Sequence, residues 1–175
     1  MNQLKKFTIA HIDDDPIVLD MTRLVLEQNE NLEISSYSTA EEFLGSIDQK
    51  GEPQLIIVDY FLNSKVPSAM SGSKLIEIFR KQSDQIPFIV ISSQKKISVG
   101  LKLIKLRVVD YIVKTDDFTS KVVRSVNSVI QIRQKEFEKR VADKIIRKDK
   151  MHLMIVSLFF IATISIIYFV GKLLV

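Results

Sequence analysis

The stretch FTIAHIDDDPIVL, residues 7–19, sets three carboxylates, Asp13, Asp14 and Asp15, directly after an apolar run. Carboxylates that end up buried are costly unless an opposite charge faces them, so the fold turns on what lies across from these three. FTIAHI reads as a first strand. Asp15-Pro16 then reads as an N-cap followed by proline at the first helical position, and Ile17, Val18, Met21, Leu24 and Val25 form the apolar face of a helix ending near Glu30. Capping accounts for Asp15. It does not account for Asp13 and Asp14, which precede the cap.

The same alternation continues outward. LEISSY (32–37) is a weaker second strand, and Ser38 or Thr39, each with a glutamate three residues on, opens a second helix. QLIIVDYF (54–61) is nearly continuous in apolar residues, as a strand covered on both faces should be. GSKLIEIFRKQS (72–83) brings Leu75, Ile76 and Phe79 onto one helical face. PFIVISS (87–93) and VDYIV (109–113) are the fourth and fifth strands, with a helix around Val99–Leu106 between them, and a last helix starts near Thr119. Short β and α units in alternation predict an α/β fold, a doubly wound parallel sheet with right-handed crossovers.

In such sheets the active crevice lies outside the carboxyl ends of the strands. Asp13 and Asp14 end the first strand, Asp59 the third, Ser92 the fourth and Lys114 the fifth. Three acids from two strands repel unless a hard cation sits among them, and magnesium takes few carboxylates together with waters and phosphoryl oxygens. Lys114 would pair Asp59, and the Ser92 hydroxyl is placed to donate to a phosphoryl oxygen.

The ends of the chain differ from its body. Its 175 residues give room for one domain and an appendage, and the absence of cysteine excludes disulfides and thiolate metal sites. Residues 1–130 hold 16 basic side chains against 17 acidic ones, whereas residues 131–150 hold eight against four. So local an excess argues against a nucleic-acid-binding domain. Phe137, Val141 and Ile145 recur every four residues there, which suits either an amphipathic stalk or a solvated basic helix. Met151 to Val170 holds no Asp, Glu, Lys or Arg, and as a helix it would rise roughly 30 Å, the thickness of a bilayer core. The expectation is one C-terminal transmembrane helix, with a buried oligomerisation helix as the alternative. Basic residues before the span and only Lys172 after it place the N-terminal domain on the cytoplasmic side, as in a bacterial inner membrane.

IAHIDDDP, QLIIVDYFL, PFIVISS and VDYIVK, in this order and spacing over about residues 6–130, resemble the receiver domain of two-component response regulators. The resemblance implies a flavodoxin-like, five-stranded sheet of order 2-1-3-4-5. It implies that Asp59 accepts a phosphoryl group from a histidine kinase or histidine phosphotransfer protein. Magnesium would be held by Asp13, Asp14, Asp59 and the backbone carbonyl of Phe61, and Ser92 and Lys114 would contact the phosphoryl oxygens. Tyr111 matches the aromatic that changes rotamer on activation; a half-buried strand tyrosine is the plain alternative. Two departures stand out: the loop FLNSKVPSAMSG (61–72) is longer than usual, and Thr115 follows Lys114 where receivers carry proline after a cis bond.

The organisation expected is a receiver over 1–130, a basic helical linker over 131–150 and a membrane anchor over 151–175. The chain would then be a membrane-tethered, stand-alone receiver, not an enzyme, acting through an unknown downstream protein partner, with homodimerisation open. Two rivals are a degenerate receiver that only scaffolds and a haloacid-dehalogenase-like phosphatase with Asp13 attacking and Asp15 as acid.

Overall fold

The structure is a computed structural model. It describes residues 6–62, 69–82, 85–93, 103 and 106–173, the side chains of residue 82 and of residues 164–173 excepted. The elements are β1 (Phe7–Ile12), α1 (Pro16–Leu26), β2 (Leu32–Tyr37), α2 (Ala40–Lys50), β3 (Leu55–Asp59), α3 (Gly72–Gln82), β4 (Phe88–Ser92), β5 (Asp110–Val113) and α4 (Phe118–Leu173). The helix expected around Val99–Leu106 lies outside the described residues apart from Leu103 and Leu106, as does the middle of the long loop, 63–68. The chain divides into two compact units, Met1–Val129 and Ile130–Val175.

Within the first unit the five strands form one sheet of order β2-β1-β3-β4-β5, parallel throughout. The central strands β3 and β4 are buried along their whole length, which is why their sequences are apolar at every position rather than at alternate ones. One core layer joins Ala10, Ile12, Ile56, Val58, Phe88 and Val90 of the sheet to Phe43 of α2 and to Leu75, Ile76 and Phe79 of α3. Phe43 stacks on Phe79 at 5.8 Å, and Phe79 meets Phe88 edge-on at 5.7 Å. Successive strand residues point to opposite faces, so Ile9, His11, Ile57 and Ile89 look the other way. Buried Val18, Leu19 and Leu26 of α1 and Val122, Val126 and Val129 of α4 supply the second layer.

Local chemistry sets the helix ends. Asp15 caps α1 by accepting a 3.0 Å bond from the Ile17 amide, with Pro16 next. Of the two candidates for α2, Thr39 is the cap: its hydroxyl accepts from the Glu42 amide at 3.1 Å, while the Glu42 carboxylate reaches back to the Ser38 amide at 2.9 Å. The first helix stops at Leu26, short of the expected Glu30. Asn29 turns the chain there, its carbonyl accepting from the Leu32 amide and its side chain from the Asn31 amide. Arg80 of α3 ties two loops together by donating to the carbonyls of Ile86, Leu106 and Arg107 at 2.8–3.1 Å.

In the second unit the described side chains are almost all exposed, including Phe137, Val141 and Ile145. Among the described residues no helix is long and apolar enough to cross a membrane. The expected span, Met151–Val170, extends past Thr163, beyond which the side chains lie outside the described residues.

Candidate functional site

Parallel strands of different length end together at one edge of the sheet, and the register shows how. Asp59 stands opposite Ile91, and Ser92 opposite Val113, so the last residues of β3 and β4 and the first after β5 share that edge. Asp13 follows β1 directly and is fixed by its amide, which donates to the Tyr37 carbonyl at 3.1 Å. Lys114 follows β5, its amide donating to the Ser92 carbonyl at 2.8 Å.

The Lys114 side chain crosses this edge and bridges two acids. Its Nζ lies 2.7 Å from Asp59 Oδ2 and 2.9 Å from Asp13 Oδ2. Asp13 is fully buried and Asp59 is 5 % exposed, so both ion pairs are shielded from solvent. The remaining carboxylate oxygens are held by backbone donors: the Asp15 amide on Asp13 Oδ1 and the Phe61 amide on Asp59 Oδ1, each at 3.0 Å. Asp14 is half-buried beside them, and one ligand oxygen from each of Asp13, Asp14 and Asp59 lies within 4.8 Å of the others. The structure therefore brings together the three acids and Lys114. Ser92 is buried at the end of β4 on the same edge.

Electrostatics follow from this crowding. Burial, with Asp59 adding repulsion, pushes the Asp13 carboxyl up to about 6 despite the opposing ammonium. Burial would lower the Lys114 ammonium, but attraction to Asp13 and the hydrogen bonds it donates to both acids raise it above its ordinary value. Three hard oxygen donors lying this close together fit a divalent cation of the magnesium type.

The other expected residues are placed as follows. Phe61 sits in the turn after β3, where its amide holds Asp59. Tyr111 is half-buried on β5, packed against the core, and lines a groove of about 520 Å³ with Lys121 and Arg124. The bond between Lys114 and Thr115 is trans. Thr115 donates to Asp117 Oδ1 at 2.6 Å, and Lys121 pairs with the same oxygen at 2.8 Å. That pairing holds Asp117 down at about 2.

Two positions next to the site escaped the sequence reading. At Gly72, the first residue of α3, a Cβ would run into the backbone carbonyl of Asp59, so α3 can approach the end of β3 only with glycine there. His11 is the second. It is fully buried two residues before Asp13, neither ring nitrogen has a partner among the described residues, and burial together with Lys114 lowers it to about 3. The only signal available for Gly72 was its place at the start of an apolar-periodic helix; for His11 it was a polar residue inside an apolar run.

Comparison with known proteins gives a consistent picture. A family profile described as the response regulator receiver domain matches residues 9–124. The chain is 27 % identical over 111 residues to the transcriptional regulatory protein MalR of Bacillus subtilis, a match covering 61 % of this chain and 43 % of that protein. It thus spans less than half the length of that relative. Among solved structures it is similar to a response regulator receiver domain protein from Methanospirillum hungatei, with 24 % identity, a TM-score of 0.63, and 75 % of this chain and 98 % of that one covered. It also resembles the signal receiver domain of a LuxO repressor protein from Vibrio parahaemolyticus, with 18 % identity, a TM-score of 0.64, and 75 % and 95 % covered. At these identities the structural likenesses speak to the fold.

Proposed function

Since this chain belongs to the response regulator receiver domain family, we propose that Asp59 accepts a phosphoryl group from a phosphohistidine of a histidine kinase or histidine phosphotransfer protein. The observation that carries this reading is the Lys114 ammonium held 2.7 Å from Asp59 Oδ2 and 2.9 Å from Asp13 Oδ2. A carboxylate oxygen of Asp59 attacks phosphorus, the P–N bond breaks, and the donor imidazole keeps the electron pair and takes up a proton. A carboxylate is a poor partner for a phosphoryl group unless charge on the equatorial oxygens is neutralised. Lys114 supplies one positive charge at that position without moving far, and Ser92 donates a hydroxyl. A divalent cation held by Asp13, Asp14, Asp59 and the Phe61 carbonyl would supply the rest of that neutralisation when bound.

The chain is a carrier of the phosphoryl group rather than a turnover enzyme. Asp15, the acid in the phosphatase alternative, has its carboxylate engaged in capping α1. Exposed Ile17, Met21 and Leu24 recur along α1, the helix that starts just after the acids, and offer the phosphodonor an apolar contact beside the pocket. Phosphorylation replaces one negative charge by roughly two and adds three acceptor oxygens. Ser92 and Lys114 shift toward these, and Tyr111, on the strand between them and the groove, passes the change to a downstream protein.

The receiver is tethered to a membrane through the C-terminal part of α4, with the first unit on the cytoplasmic side. Support comes from the apolar residues after Lys150, which are exposed around the whole helix: Leu153, Met154, Ile155, Val156, Leu158 and Phe159 at 44–73 %. A helix apolar on all sides belongs in lipid or in a protein core.

Acetyl phosphate with magnesium tests the first part. The full chain should gain the mass of one phosphoryl group, and Asp59→Asn should gain none. No gain under any condition would leave the scaffold reading in its place. Flotation with vesicles, resistant to alkaline carbonate, tests the tether.

A further inference from the structure

Four cations crowd the last two turns of α4 before its apolar stretch: Lys144, Arg147, Lys148 and Lys150, with Asp149 the one carboxylate among them. All four are exposed, and none has a carboxylate within 4.0 Å among the described residues. At a rise of about 1.5 Å per residue they all lie within about 10 Å of Met151 along the axis. That is about one Debye length, so all four act on whatever borders the apolar segment. Around the helix they occupy one broad face of about 160° at some 100° per residue.

What separates the anionic partners is the segment that follows the cations. From Met151 to Thr163 the helix carries no Asp, Glu, Lys or Arg, and its large side chains are exposed on every side. Four exposed cations with one carboxylate among them, immediately next to an apolar cylinder, have the polarity profile of a headgroup layer next to acyl chains.

We infer that Lys144, Arg147, Lys148 and Lys150 form a binding surface for anionic phospholipid headgroups, so that the chain gathers acidic lipid around itself in preference to zwitterionic lipid. This rests on the tethering reading and adds the lipid class that the tether selects.

The full chain is reconstituted into phosphatidylcholine vesicles carrying a trace of spin-labelled phosphatidylglycerol or spin-labelled phosphatidylcholine. The motionally restricted fraction then gives the relative association of each lipid. Phosphatidylglycerol should associate several-fold more strongly. The quadruple variant K144Q/R147Q/K148Q/K150Q should bring the ratio close to one, as should raised salt, while soluble glycerol phosphate should displace nothing. Labelling of Asp59 by acetyl phosphate checks that the variant's receiver is intact. A ratio near one in the unaltered chain overturns the inference, as does a preference that survives in the variant, or displacement by glycerol phosphate, which would mean a site for free phosphate. If the chain still floats with neutral vesicles in those cases, the tether stands without the selectivity. Failure to float with any vesicle ends both.

Discussion

Lys114 holds two buried acids with one ammonium, so removing it affects both stability and chemistry. Lys114→Met leaves Asp13 and Asp59 facing each other unneutralised, a loss of about 3 kcal/mol in unfolding free energy, and it should slow acetyl phosphate labelling of Asp59 about a hundredfold; denaturant melts and timed mass spectra measure the two separately. His11 has the opposite character. Its folded value of about 3 lies below the ordinary 6.5, so the unfolded chain binds the proton more readily, and stability is lost as pH falls from 6.5 toward 3. His11→Leu removes both orphaned ring nitrogens and should stabilise the protein, by about 2 kcal/mol more at pH 5 than at pH 7.5; the same gain at both values would show that protonation has no part in it. Asp13, Asp14, Asp59, Ser92 and Lys114 were legible in the sequence because each polar residue closes an apolar run, and a parallel sheet gathers such ends on one edge. His11 was not, since a lone polar residue within a run does not announce which face it takes or whether a partner waits there.

Elements were legible where periodicity and caps agreed. All five strands fall within the runs that predicted them, and the proline after Asp15 and the Thr39–Glu42 pair marked two helix starts. The end of α1 was misjudged because Asn29 terminates the helix through hydrogen bonds to residues 31 and 32, which an apolar pattern does not register. Thr39→Ala should cost α2 about 1 kcal/mol, visible in a melt, with labelling of Asp59 unaltered. Gly72 is a tertiary requirement: nothing in local spacing reveals that the first residue of α3 will lie on the carbonyl of Asp59. Gly72→Ala should push α3 and the end of β3 apart. Slower phosphorylation of Asp59 and a lowered melting temperature are expected together, although every acid and Lys114 remain in place; unchanged labelling kinetics would show that the contact has slack.

For the whole molecule, the first unit has its own sheet and two core layers, so a chain ended after Ile130 should unfold cooperatively and take a phosphoryl group on Asp59 at the full chain's rate. It should no longer float with vesicles, and a loss of labelling would mean that the receiver depends on the second unit. The long helix Phe118–Leu173 was legible only in pieces, as its apolar periodicity gives way to charge after residue 130. The lysine bridge has one more consequence. Two of the three acids are already paired with a side chain that the protein always carries, so stripping divalent ions with a chelator should lower the melting temperature by no more than a few degrees while abolishing labelling. Withdrawal of divalent ions would then switch labelling off without unfolding the first unit, and adding them back to the same sample should restore it.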